Sequence, residues 1–141
     1  METKRGFTLI ELLVVISIIS LLSSIVLSAL SSARGKAADT TVKADLANIR
    51  AMAELYYSDN GNYGPMVSNC SGVFFTSANI YSAIGSADAA SGGGASCFSN
   101  GTAWAISHTL KTTGTYQWCV DWTGASRQIT GATPGVTCPS S

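Results

Sequence analysis

The chain has 141 residues, eight basic and eight acidic side chains and no formal net charge. One globular domain is the expectation at this length, and nothing in the charge balance suggests a protein that grips nucleic acid through its phosphates. Only 11% of residues are charged, which suits a chain packed among copies of itself or exposed outside the cell.

Residues 1–6, Met1-Glu2-Thr3-Lys4-Arg5-Gly6, form a short basic leader. Lys4 and Arg5 are expected to stay on the cytoplasmic side of a membrane. From Phe7 to Leu30 the chain reads FTLIELLVVISIISLLSSIVLSAL, 24 residues with one charge, Glu11, and no Gly or Pro. As a helix this run spans about 36 Å, enough to cross a bilayer core of about 30 Å. A single membrane pass over 7–30 is expected, with the remainder outside. The run is too long for a secretory signal, and Ser28-Ala29-Leu30 fits its small-residue cleavage site poorly. A carboxylate inside such a segment costs at least about 2.5 kcal/mol and is usually functional. A plain anchor has no use for Glu11.

One side of this helix carries small residues at spacings of three or four: Ser17, Ser20, Ser24, Ser28, Ser31, Gly35 and Ala38. Small side chains let apolar helices approach closely, and serines bond across helices or back to the i−4 carbonyl. The stripe is read as a packing seam between subunits. Beyond Arg34 and Lys36, residues 37–57 keep helical periodicity. Val42, Leu46, Ile49, Ala53 and Tyr56 make an apolar stripe, with Asp39–Lys43 and Arg50–Glu54 as i,i+4 pairs of opposite charge. One helix of about fifty residues is expected, rather than two broken at Gly35.

Asn60-Gly61 and Pro65 then end the helix. Residues 66–102 read as loop-rich. Val73-Phe74-Phe75 is an apolar patch, Ala78 to Ile84 is expected to make one or two helical turns with Ile80, Tyr81 and Ile84 inward, and residues 91–96 read as flexible. Two strands follow by alternation. Trp104, Ile106, His108 and Leu110 share one face, as do Tyr116, Trp118, Val120 and Trp122. Turns are expected at 111–114 and 123–126, then a third strand at 127–130 and an irregular tail from Thr133 to Pro139. The amphipathic half of the helix is the expected cover for the sheet, with Trp104, Trp118 and Trp122 largely buried. The fold class is α+β.

The head beyond residue 57 has 84 residues, and a core that small benefits from covalent staples. Cys70, Cys97, Cys119 and Cys138 include no C-x-x-C pair, so a zinc site is not expected. Two disulfides are. Three pairings are open, and the nearest-neighbour one, Cys70–Cys97 with Cys119–Cys138, is favoured. In that pairing Cys119 points away from the greasy face and pins the tail on the outer side of the sheet. His108, the one histidine, reads as structural, and no G-x-S-x-G elbow accompanies the many serines. Asp59, Asp88 and Asp121 lack calcium-loop spacing. Asn69 and Asn100 head glycosylation sequons that carry little weight. No catalytic, cofactor or metal residue is assigned.

The short basic leader, Gly6-Phe7, Thr8 and Glu11 together resemble the type IV prepilin signature, GFTLIEL, in residues 6–12. The aromatic helix end at Tyr57 and the turn to Pro65 resemble the pilin pattern as well. The family commonly has a helix-breaking Pro in the first segment, and this chain has none before Pro65. The resemblance implies a pilin fold with a 1–6 leader, a 7–57 helix and a 58–141 head. That head would hold an αβ-loop to about 102, a sheet at 103–130 and a disulfide-closed tail. It implies a prepilin peptidase that cuts between Gly6 and Phe7 and methylates the new Phe7 amine. The product would be a filament subunit. It would leave the lipid of the cytoplasmic membrane, through inner-membrane assembly machinery, to join copies of itself in an extracellular pilus. Phe7 and Glu11 would then be assembly residues, the amine pairing with the Glu11 of a neighbour or of its own chain. A minor pilin or a type II secretion pseudopilin has the same assembly. A membrane-anchored binding module that never polymerises is the alternative of another class.

Overall fold

The computed structural model describes residues 6–131 and 135–140. The leader up to Arg5 and Thr133-Pro134 of the tail lie outside the described residues. The elements in chain order are α1 (Leu9–Asn60), α2 (Ala78–Ser91), β1 (Ala95–Asn100), β2 (Ala103–Thr109), β3 (Tyr116–Asp121) and β4 (Ser126–Thr130). The chain divides into two units, Met1–Arg34 and Gly35–Ser141.

In the first unit every described side chain is exposed. Its part of α1 is long and apolar enough to cross a membrane. The backbone bonds itself along the helix, so nothing but the side chains needs a partner. Ser17, Ser20 and Ser24 donate their hydroxyls to the carbonyls of Leu13, Ile16 and Leu21 at 2.8, 2.7 and 2.8 Å. These hydroxyls are therefore satisfied within their own helix.

The second unit begins with the amphipathic half of α1. Asp39, Val42, Leu46, Ile49 and Ala53 are its buried positions, at the spacing expected of a helix laid on a core. Val42, Leu46, Ile49 and Ala53 join Tyr63, Phe74, Phe75, Ile80, Ile84, Trp104, Ile106 and Val120 in one apolar cluster. Phe74 is its hub. Its ring lies 5.2 Å from Tyr56, 5.3 Å from Tyr63 and 5.8 Å from Trp104. These separations suit edge-on and tilted aromatic contacts. The end of α1, the loop and the sheet thus meet on one ring. Gly61 (φ 73°) closes α1, its N–H reaching the Tyr57 carbonyl at 2.7 Å. Only a residue at ease with positive φ serves there.

The sheet is a four-stranded antiparallel meander, β1-β2-β3-β4. Trp104, Ile106 and His108 of β2 lie beside Ser99, Cys97 and Ala95 of β1, facing α1 and α2. The opposite face carries Cys119, Ile129 and Cys138 in a second small cluster. Both disulfides are present, Cys70–Cys97 and Cys119–Cys138. One ties the loop to the inner face of β1. The other ties the tail to the outer face of β3.

Several expectations need correction. The sheet has a fourth strand, because β1 starts at Ala95, within the stretch read as flexible. Val67 adds one antiparallel rung to its free edge through Ser99. The helix at Ala78 continues to Ser91, where Gly92 caps it in the left-handed conformation. Tyr81 faces outward, 64% exposed, and Ala83, Ala87 and Ser91 take the inward positions with Ile80 and Ile84. Trp122 lies beyond the end of β3 and is 47% exposed, while Trp118 is half-buried and Trp104 fully buried. The strand stops at Asp121, so the alternation that would have buried Trp122 is interrupted by the turn.

The two i,i+4 ion pairs on α1 are absent as well. Asp39 turns inward and accepts the backbone N–H groups of Lys111 and Thr112, at 2.5 and 3.3 Å, together with the Thr112 hydroxyl. Lys43 lies over the Trp118 ring at 4.5 Å. Arg50 donates to the Ala125 carbonyl at 3.1 Å. Exposed helix pairs gain only about 0.3–0.5 kcal/mol. A carboxylate closing a turn between strands accepts several charge-assisted bonds instead. The hairpin turn approaches α1 closely, since a Cβ on Gly35 would sit 3.0 Å from the Thr112 methyl. Gly35 therefore has a packing role within its own chain.

Candidate functional site

Thr8 and Glu11 clasp each other at the start of α1. The Thr8 backbone N–H donates to Glu11 Oε2 at 2.9 Å, the Thr8 hydroxyl donates to the same oxygen at 2.7 Å, and the Glu11 N–H donates to Thr8 Oγ1 at 3.2 Å. This is a capping box, in which two orphan donors of a helix N-terminus are satisfied reciprocally. It also sets a negative charge at the positive end of the helix dipole. The signal for it, Thr-x-x-Glu before an apolar run, stands in the sequence at Thr8 and Glu11. Among the described residues Glu11 Oε1 accepts no hydrogen bond.

Gly6 and Phe7 precede the helix. Both are exposed, Phe7 at 83%, and nothing lies within 4 Å of where a Cβ on Gly6 would be. Among the described residues nothing crowds the Gly6–Phe7 peptide bond. The seam residues Ser17, Ser20, Ser24, Ser28 and Ser31 are exposed in the first unit, whereas Gly35 and Ala38 are half-buried in the second.

Elsewhere polar side chains tie one element to another. His108 is fully buried, with Nε2 at 2.7 Å from Asp88 Oδ1 and Nδ1 at 3.0 Å from the Thr109 carbonyl. Ser91 Oγ lies 3.5 Å from the same Nδ1. A Ser-His-Asp constellation thus exists in space, but its histidine turns both ring nitrogens toward acceptors. The Ser91 hydroxyl already accepts the Gly93 N–H at 3.0 Å. These contacts fasten α2 to β2. Burial pushes the Tyr63 phenol up, and the nearby Glu54 charge adds to this. Asn69 and Asn100 close turns, accepting the N–H groups of Ser71 and Ala103 at 3.0 and 2.9 Å. Among the described residues no cluster of His, Cys, Asp and Glu is arranged to hold a metal ion.

The comparisons with known proteins point to the same end of the chain. Residues 1–27 match the family described as the prokaryotic N-terminal methylation motif. The chain is 39% identical over 108 residues to the type IV wide pilus major component PilA4 of Thermus thermophilus, covering 74% of this chain and 81% of that one. It is 38% identical over 63 residues to the type II secretion system core protein G of Klebsiella pneumoniae, a match covering 45% of each chain. The corresponding protein of Klebsiella michiganensis is 36% identical over 62 residues, 44% of each. No solved structure matched the chain. The pilus component is matched over most of its length, through helix and head alike, and the chain is therefore a member of the type IV pilin family.

Proposed function

We propose that this chain is a structural subunit of a type IV pilus-like filament. It is held in the cytoplasmic membrane as a precursor, with leader 1–6, helix 7–57 and head 58–141, and the head outside. A prepilin peptidase cuts between Gly6 and Phe7 and methylates the Phe7 amine. The subunit then leaves the lipid for the assembly machinery and is built into an extracellular filament, a structural rather than catalytic role. The observation that carries this reading is the N-terminal end of α1, a capped carboxylate leading an apolar helix with no buried side chain up to Arg34.

Glu11 has two tasks in this scheme. Its Oε2 holds the cap on its own Thr8. Its Oε1 is left for the amine that cleavage creates on Phe7 of an incoming subunit. In a low-dielectric surrounding an unpaired carboxylate and an unpaired amine are both costly, so pairing them fixes axial register among otherwise slippery helices. The seam serines contribute close approach rather than bonds between subunits, since Ser17, Ser20 and Ser24 already donate to their own helix.

Intact-mass analysis of assembled protein tests the processing. The expected N-terminus is Phe7 carrying one methyl group, and an N-terminus at Met1 or beyond Leu30 contradicts it. The match to the secretion core protein G covers residues enough for the helix but less than half of that chain, and it favours a pseudopilin as the second reading. Long surface filaments seen by electron microscopy and lost on deletion of this chain support the pilus subunit. Loss of secretion without loss of filaments supports the pseudopilin.

A further inference from the structure

Among its described residues the C-terminal tail is buried against the sheet at Cys138. Among residues 135–140 only Cys138 is buried, where it meets Cys119, Ile129 and Ala125. Its backbone N–H donates to Asp121 Oδ2 at 2.7 Å. Asp121 is 1% exposed and lies two residues beyond Cys119 on the same face of β3. Its other oxygen, Oδ1, closes the β3–β4 turn. It accepts the Thr123 N–H at 2.9 Å, the Thr123 hydroxyl at 2.6 Å and the Ala125 N–H at 3.1 Å. One buried carboxylate thus splits its oxygens between the turn and the tail. Bonds to an ionised acceptor are about twice as strong as neutral ones.

We infer that Asp121 is a positioning residue for oxidative folding, holding the Cys138 backbone beside Cys119 so that this pair, of the three pairings four cysteines allow, closes the second disulfide. The turn bonds set the carboxylate before the tail arrives, and Oδ2 then captures the Cys138 N–H. Closure transfers two electrons and two protons from the Cys119 and Cys138 thiols to a disulfide oxidant. The oxidant leaves as two thiols, by exchange through a mixed disulfide. The hydrogen bond to Cys138 raises the effective concentration of one thiol at the other. Because the folded bond and its formation share one free energy, the same contact protects the disulfide against reduction.

The test is the redox equilibrium of both disulfides in the full chain in detergent. The protein is incubated in oxidised and reduced glutathione, quenched by alkylation and read by peptide mass spectrometry. Asp121→Asn places an NH2 group against either the tail donor or the turn donors. It is expected to lower the effective concentration of Cys119/Cys138 by about tenfold or more, while Cys70–Cys97 shifts less than twofold. Thr123→Val removes one turn donor and leaves the Cys138 contact, so it is expected to change neither bond more than twofold. A Cys119–Cys138 equilibrium unchanged in Asp121→Asn overturns the inference. So does an equal fall in both disulfides, which marks general loss of the fold, or a fall in Thr123→Val as large as in Asp121→Asn, which assigns the effect to the turn.

Discussion

Up to Arg34, α1 buries no described side chain, whereas its continuation from Gly35 buries Asp39, Val42, Leu46, Ile49 and Ala53. Both halves are regular helix, so helix formation does not distinguish them. Their side chains do. The first half is apolar around most of its circumference, with the serines Ser17 to Ser31 along one side, a pattern that water does not support and that calls for lipid or other apolar helices. The second half is apolar along one stripe and finds its partner in the sheet and α2 of its own chain. The comparison teaches that one helix can serve two solvents in turn. Its second half takes its partner from within the chain, and its first half leaves every described side chain exposed.

Substitutions at the start of the first half sharpen this contrast most. Glu11→Ala is expected to abolish filaments while leaving cleavage, membrane insertion and head melting unchanged. Glu11→Gln keeps the capping capacity but loses the charge, and it too should fail to assemble. Thr8→Ala keeps the charge, weakens the cap by about 1 kcal/mol and should assemble in reduced amount. Normal filaments from both Glu11 variants, counted by electron microscopy, would break the pairing model.

The second half is probed by its partners. Trp104→Ala empties a fully buried site and should cost about 3–5 kcal/mol in denaturant unfolding of the full chain in detergent. Membrane insertion of the first half should be untouched. Trp118→Ala should cost less, and Trp122→Ala should stay within about 0.5 kcal/mol, as for other surface sites. An equal cost at all three would mean that the exposure of Trp122 is wrong.

Replacing Cys119 and Cys138 by Ala opens a loop spanning 19 residues and is expected to cost on the order of 3 kcal/mol in the chain-entropy model. Asp39→Ala leaves the N–H groups of Lys111 and Thr112 without their acceptor and should cost about 1–3 kcal/mol, read by the same unfolding curve. Loss of α1 backbone protection near Asp39 in hydrogen exchange would accompany it.

The smallest effect is a pH dependence. Burial by itself would raise the Asp121 carboxyl. Hydrogen bonds from the Thr123 hydroxyl and from the backbone of Cys138, Ala125 and Thr123 outweigh it and hold the group below the ordinary carboxylate range. Its folded value is lower than its unfolded one. Its contribution is therefore present above the unfolded value, about 3.9, and is lost as the pH falls through the lowered folded value. Melting temperature should drop on acidification below about pH 4, and Asp121→Asn should flatten that drop. An unchanged slope would remove Asp121 from the account.

What the sequence by itself determined is whatever depends on periodicity and composition along one element. The apolar run, the stripe Val42–Leu46–Ile49–Ala53, the closure of α1 near Gly61 and the two alternating strands are all local, because each residue's face follows from its neighbours at fixed spacing. The capping box of Thr8 and Glu11 is equally local, since its two residues stand three apart. What the tertiary structure decided were partners distant in sequence. Asp39 left Lys43 for a turn 72 residues away, and His108 found Asp88 20 residues back. β1, poor in large apolar residues, became a strand because β2 offered it a hydrogen-bonded edge and Cys97 a disulfide. Trp122 was exposed because Asp121 turned the chain one residue earlier. A polar side chain can satisfy its bonds in many places, and only the packed chain selects among them.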